Sequence, residues 1–307
     1  MSNTTTADRL DAEAITTTER SQWVLITRRF FRHKMAVISL IVFVLIALFA
    51  FVGPWLWTWD HRLHPSELPS TATGPSLAHP FGTDASGRDM LGAMMKATQQ
   101  SLLVALVVAV GSTLLGAVVG AVAGYFRGAV DAILMRLVDV LFVIPFLVIA
   151  AAIAGSIDGG SKWYHMAFIL AAFGWLSTAR AVRAEVLSLR EKEFIEAARA
   201  VGGSAGHIVF KHLIPNTMSV IIVSATLQIA FAILSETTLS FLGLGIQPPD
   251  TSLGLLIQDA GSAAAFNDKW YLFYIPGAMV ILIALTINFV GDGLRDAMDP
   301  RQTMVRR

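Results

Sequence analysis

The side chains that could do chemistry are few in this sequence, and their spacing assembles no catalytic group. A phosphate loop needs Gly-x-x-x-x-Gly-Lys-Ser/Thr, so that backbone N–H groups and one lysine cradle a nucleotide. The nearest fragment, Gly159-Gly160-Ser161-Lys162, lacks that spacing. His-x-x-x-His and His-Glu-x-x-His pairs at zinc spacing are absent. His207 and His212 stand five apart and read as exposed polar residues. No Gly-x-Ser-x-Gly nucleophile elbow occurs. With no cysteine, disulfides and thiolate chemistry are excluded. The sequence therefore predicts no catalytic residue, no metal and no cofactor site in this chain, and no enzyme.

Ionisable residues inside apolar stretches are functional candidates by default. Arg136 and Asp139 lie three apart on one helix face and are expected to pair. Glu236 is expected near the outer membrane interface, as a hydrated or paired group. Asn288 and Asp292 share a face at the inner end of the last apolar stretch. None of the carboxylates falls at mid-membrane, which weighs against proton coupling.

These residues sit in a chain that is 55% hydrophobic and 15% charged, with mean hydropathy +0.63. Soluble domains carry roughly 25% charged residues. A net charge of +1 gives no basic excess for nucleic acid. About 20 apolar residues cross a bilayer, and six stretches qualify: 35–59, 99–126, 133–155, 163–181, 217–240 and 272–291. Pro145 is predicted to kink the third. The first run follows a polar arm of 34 residues, so it reads as a retained span rather than a signal peptide.

Lysines and arginines favour the cytoplasmic side. With the N-terminus inside, segments 1–34, 127–136, 180–216 and 295–307 hold 18 of the 23 basic residues. Both termini are therefore expected to be cytoplasmic, with an arm over 1–34, a first span over 35–59 and an outer loop over 60–98. A core over 99–294 with five spans and a tail over 295–307 complete the layout. The arm ends Arg28-Arg29-Phe30-Phe31-Arg32-His33-Lys34, basic and aromatic residues suited to the lipid surface. It reads as a positive-inside anchor or a regulatory element. Residues 1–20 are Thr-rich and predicted disordered.

Gly116, Gly120 and Gly124 recur every four residues in the second span. That bares one helix face for close approach of a neighbour, within this subunit or at a seam between subunits. Between the fourth and fifth spans, 180–216 is far longer than a turn requires. Residues 183–200 favour helix, with Val186, Leu187, Phe194, Ile195 and Ala198 roughly on one side. Gly202-Gly203 breaks it, and Ser204 can cap a second short helix through Leu213. The exposed face of that helix is expected to include Ile208, Val209 or Phe210, and Pro215 to stop it. This helix–break–helix either docks into a partner's groove or packs on its own spans. The outer segment 241–274 carries an apolar piece, Leu253 to Ile257, and reads as a flap or a surface loop.

Glu196-Ala197-Ala198, three residues, Gly202, nine residues and His212-Leu213-Ile214-Pro215 resemble the EAA loop of binding-protein-dependent ABC importer permeases. His212 and Ile214 depart from the family's usual Ile and Leu. The stretches Phe81 to Asp89, Gly124 to Gly128, Met135 to Asp139 and Glu236 to Pro249 are similar to the C-type subunit of dipeptide and oligopeptide permeases. Gln99 and Leu253 stand where members often have Arg and Trp. The resemblance implies an all-α integral protein of the inner membrane with six transmembrane helices and the type I importer permease fold. It implies a heterodimer with a second permease subunit, two ATPase domains that bind ATP and Mg, and an extracytoplasmic substrate-binding protein. It assigns ATPase coupling to Glu196, Ala197, Ala198, Gly202, Gly203, His207, Phe210 and Pro215. Relatives of the peptide permeases carry nickel chelates, glutathione or opines, so the substrate class stays open at this point. A stand-alone secondary transporter or channel is the competing class, and a membrane scaffold is a third.

Overall fold

The computed structural model describes residues 22–59, 73–84, 86–261 and 269–298. The predicted disorder of 1–20 and most of the predicted tail lie outside the described residues. The described chain is helical apart from isolated bridges and loops. α1 (Gln22–Phe30), α2 (Lys34–Phe51) and α3 (Gly53–Leu56) precede α4 (Met90–Phe126). α5 (Gly128–Val143), α6 (Phe146–Gly155), α7 (Trp163–Leu189) and α8 (Glu193–Ala200) follow. A short run consists of α9 (Ala205–His207), a π-helical turn (Ile208–Leu213) and α10 (Ile214–Asn216). α11 (Met218–Phe241), α12 (Leu253–Asp259) and α13 (Trp270–Met298) complete the chain.

α2, α4, α7, α11 and α13 are each long and apolar enough to span a membrane, and α5 with α6 makes a sixth, broken span. The break at Pro145 turns the helix axis by 77°, far more than a gentle kink. Proline removes a helix hydrogen bond and clashes with the preceding turn. The first span is shorter than 35–59, because α2 ends at Phe51 and α3 continues only to Leu56. α4 starts at Met90, ahead of the apolar stretch at 99. Its 37 residues give about 55 Å at 1.5 Å per residue, so it protrudes beyond the hydrocarbon on the outer side.

α4 is the centre of the bundle, and its glycine stripe decides how. A Cβ on Gly116 would stand 2.6 Å from Thr178 Cβ, and one on Gly120 would stand 2.4 Å from the Ala179 carbonyl oxygen. One on Gly124 would stand 2.9 Å from Val186 Cγ1. The stripe therefore packs within this subunit, against α7. Without a hydrophobic drive between helices in lipid, such close backbone contact is what holds them.

Outside the bilayer, Asp89 caps α4. Its Oδ2 accepts from Gly92 N at 2.7 Å and from Trp57 Nε1 at 2.8 Å, while Oδ1 lies 2.8 Å from His79 Nδ1. The Leu253–Ile257 piece is not a plain surface loop. It forms α12, with Leu253, Leu256 and Ile257 buried in the main core. Glu236 is likewise not hydrated but fully buried. Its carboxylate accepts from Ser101 Oγ at 3.1 Å and Ser240 Oγ at 2.7 Å, and Ser101 Oγ in turn accepts from Leu253 N at 3.3 Å. Of the four departures from the family pattern, two lie at this end: Gln99 accepts from Lys96 Nζ at 2.8 Å and Leu253 is buried at the start of α12.

Valine at Gly120 must push α7 away. Overpacking of this kind typically costs about 1–3 kcal/mol. Gly120→Val is expected to lower the melting temperature of the detergent-solubilised protein, followed by fluorescence-detected size exclusion. Gly277→Ala, where a Cβ meets nothing within 4 Å, is expected to leave it unchanged.

Candidate functional site at the inner face

The inner ends of α4, α7 and α11 converge where 190–216 folds back on them. Ala117, Ala121, Val182, Val186 and Ile221 form a cluster with Ile195, Ile208, Val209 and Leu213. This fold-back explains a difference from the sequence reading. Helix is not continuous over 183–200: α7 runs on to Leu189, then breaks before α8. Val186 and Ile195 are nine residues apart, so on one unbroken helix they would point about 180° apart. The break lets both enter the same cluster, where both are fully buried. Phe194, expected on the same side, is exposed instead.

Gly202 and Ser204 behave as read. Gly202 has φ +84°, a left-handed conformation that only glycine adopts without strain. Ser204 Oγ accepts from His207 N at 3.3 Å. In the next turn one of the three candidates for the exposed face is exposed. Ile208 and Val209 are buried, and only Phe210 of that trio points out, 60% exposed. Pro215 does not stop the helix. It sits in the first turn of α10, where its missing N–H costs nothing. Asn216 Nδ2 donates to the His212 carbonyl at 2.6 Å.

Glu196 and Ala197 are exposed, and Ala198 is half-buried against the cluster. A Cβ on Gly203 would fall 2.7 Å from the Ala198 carbonyl oxygen. The π-helical turn brings positions five apart onto one face, so the His207 and His212 rings meet with centroids 5.5 Å apart. No third ligand joins them: the described residues hold no group of three metal-ligating side chains. Phe194, Val201 and Phe210 are the large apolar side chains left exposed on this projection.

Several ties went unread in the sequence. Arg190 donates to the Tyr125 carbonyl, Arg127 pairs with Glu191 at 2.6 Å, and the Arg199 guanidinium lies 5.4 Å from the Tyr125 ring centre. The signal was present in the quoted stretch Gly124 to Gly128, but nothing in the sequence says which loop it meets. Arg136 and Asp139 do not pair. Asp139 bonds Arg180 at 2.6 Å, and Asp131 takes Arg183 in a two-pronged pair at 2.5 and 2.6 Å. α5 leans on α7, and these inter-helix partners replace a weak contact along one helix. Asn288 and Asp292 are exposed at the inner end of α13, as expected. Beside them, Phe30 of α1 is buried against Ala36 and Ala297, and His33 Nε2 lies 3.7 Å from Asp296 Oδ2. The basic arm and the end of the last span therefore share one side of the bundle.

The described residues thus make a bundle of apolar helices with a helical projection at its basic end. Residues 116–304 match the binding-protein-dependent transport system inner membrane component family, to which this chain belongs. Residues 21–69 match the N-terminal TM domain of oligopeptide transport permease C. The chain is 41% identical to the oligopeptide transport system permease protein OppC of Mycobacterium tuberculosis, over 94% of this chain and 97% of that protein. It is 39% identical to OppC of Haemophilus influenzae, over 96% and 93%. Solved inward-facing structures of the MetNI methionine ABC transporter share its fold, with TM-score 0.56 at 19% identity over 68% of this chain and 98% of that one. The chain is thus an ABC importer permease subunit of the inner membrane, of the C type found in peptide permeases.

Ile195 anchors α8 to the cluster. Truncating a buried isoleucine to alanine costs about 2–5 kcal/mol, here borne by the projection. Ile195→Ala is expected to speed tryptic cleavage at Arg199 at least severalfold while cleavage within the spans stays unchanged.

Proposed function

We propose that this chain is one of two permease subunits of an ATP-driven importer of dipeptides or oligopeptides, and that 190–216 is its coupling device. The observation that carries the reading is the projection itself. Phe194, Val201 and Phe210 are exposed to a partner, while Ile195, Ile208 and Leu213 are locked into the ends of three spans. A groove on a cytoplasmic ATPase would receive the exposed side, as helices commonly dock by their apolar residues. Closure of two ATPases around ATP and Mg would displace the projection as a rigid body. The cluster then carries that displacement into α4, α7 and α11. A binding protein outside would deliver the substrate, and a related permease subunit would complete the pathway.

Glu196, Ala197, Ala198, Gly202, Gly203, His207, Phe210 and Pro215 have graded roles in this proposal. Phe210 makes the contact and His207 stands beside it. Gly202 sets the angle between α8 and the following run. Gly203 lets that run pass the Ala198 carbonyl, and Pro215 begins the turn into α11. The peptide substrate class is supported by the OppC relatives, whose names give it.

Gly202 has open space around its missing Cβ, so only backbone conformation penalises replacement there. Gly202→Val, β-branched at positive φ, is expected to abolish peptide uptake while the protein still reaches the membrane. Gly202→Asn, which tolerates the left-handed region far better, is expected to retain most uptake. Normal uptake by a well-expressed valine variant would contradict the coupling role. Copurification of a phosphate-loop ATPase and a second permease with the tagged chain tests the assembly.

A further inference from the structure

The basic arm ends in a helix that is seated firmly on the bundle. Phe30 of α1 is buried with Ala36 and Ala297, and Ile26, Leu40, Val290 and Leu294 pack against them. A Cβ on Gly293 would overlap Ala36 Cβ and stand 3.3 Å from Phe30 Cε2. α2 and α13 thus nearly touch where the phenylalanine wedges in. This seat lies at the membrane boundary. The apolar stretch of α13 gives way there to Asp292, Arg295 and Asp296, and α2 begins its own apolar run at Met35.

The other side of α1 is open. Val24, Leu25 and Phe31 are exposed, and so are Arg28, Arg32 and Lys34. With 3.6 residues per turn, Val24, Leu25 and Arg28 fall within about 100° of one another, opposite Ile26 and Phe30. The bond from Phe31 N to the Thr27 carbonyl, at 3.1 Å, carries the helical turn on towards Arg32. Arg28 and Arg32, four apart, therefore share this side. Phe31 stands edge-on to the buried Phe30, with ring centroids 5.8 Å apart. Residues 21–34 contain no Asp or Glu. The acids of the packed elements are Asp292 and Asp296, and Asp296 faces His33 at 3.7 Å. Among the described residues Arg28, Arg32 and Lys34 make no ion pair.

Apolar side chains exposed at this depth are satisfied by acyl chains, and the cations beside them by anions. A phospholipid with an anionic headgroup offers both in one molecule. Basic clusters immediately inside a membrane span, and amphipathic helices lying in the interface, bind such lipids. We propose that α1 and the turn after it form a seat for anionic phospholipid of the inner leaflet. Val24, Leu25 and Phe31 enter the upper acyl region, and Arg28, Arg32 and Lys34 hold the phosphodiester groups. Phe30 ties this seat to α13, so bound lipid bears on the end of the last span. The seat stands whatever solute the importer carries.

The chain lacks cysteine, so Val24→Cys gives α1 a single labelling site. The full chain, with the subunits that copurify, carries a fluorophore there in phosphatidylcholine nanodiscs. The unaltered preparation, treated alike, sets the background. Spin-labelled phosphatidylglycerol is expected to quench at least twofold more than spin-labelled phosphatidylcholine at equal mole fraction. That preference is expected to shrink as salt is raised, because salt screens exposed charges. Arg28→Gln, Arg32→Gln and Lys34→Gln together are expected to erase it while quenching by phosphatidylcholine remains. Arg28→Lys with Arg32→Lys is expected to keep it. No quenching by either lipid would place α1 in water or under a partner subunit and overturn the proposal. Equal quenching by both would make α1 a plain apolar anchor, and a preference that survives the three glutamines would move the site elsewhere; each overturns it. Inorganic phosphate that abolishes the preference at constant ionic strength would make the ligand a free anion, which overturns it too.

Discussion

The close approach of α4 to α7 is the constraint on which the rest of this structure depends. Gly116, Gly120 and Gly124 have no side chain to hold the two backbones apart, so Thr178, Val182 and Val186 lie directly on them. Ala117 and Ala121, beside those glycines, then stand next to Val182 and Val186 in one cluster. That cluster is the seat for Ile195, Ile208 and Leu213. A wider spacing of α4 and α7 would leave the projection without an anchor. The same register places Arg180 and Arg183 within reach of Asp139 and Asp131 on α5, and so fixes how the inner half of the broken span leans on α7.

The polar interactions divide by depth in a way that fits a moving part. At the inner edge, ion pairs tie α5 and the turn at Arg127 to α7 and the start of the projection. Arg180–Asp139 and Arg127–Glu191 are about half exposed, and such pairs contribute little each. They can be exchanged at small cost as helices shift. At the outer end, by contrast, Asp89 and Glu236 are buried carboxylates held by several donors each. Leaving such buried polar groups without partners costs more.

Much of this was legible in the sequence, for identifiable reasons. Five of the spans are long uninterrupted apolar helices, so they follow from hydropathy alone. Gly202 and Ser204 were legible because positive φ and helix capping depend on the residue alone. What could not be read was set by contacts between distant segments. Nothing local to 183–200 predicts a break after Leu189. That break exists because Val186 and Ile195 share one cluster. Asp139 turns to Arg180 and away from Arg136 because α5 rests on α7. Glu236 looked like an interfacial acid because the serines that enclose it come from α4 and α11.

The central claim is that a rigid projection, seated on the glycine-packed helices, passes motion from a cytoplasmic ATPase to the spans. The most direct measurement places a photo-crosslinking amino acid at Phe210 in the otherwise unaltered chain and irradiates native membranes. The account predicts an adduct with a phosphate-loop ATPase, with a yield that changes when the nucleotide state is trapped with vanadate. Adducts only with lipid, or with another copy of this chain, in every nucleotide state would contradict it.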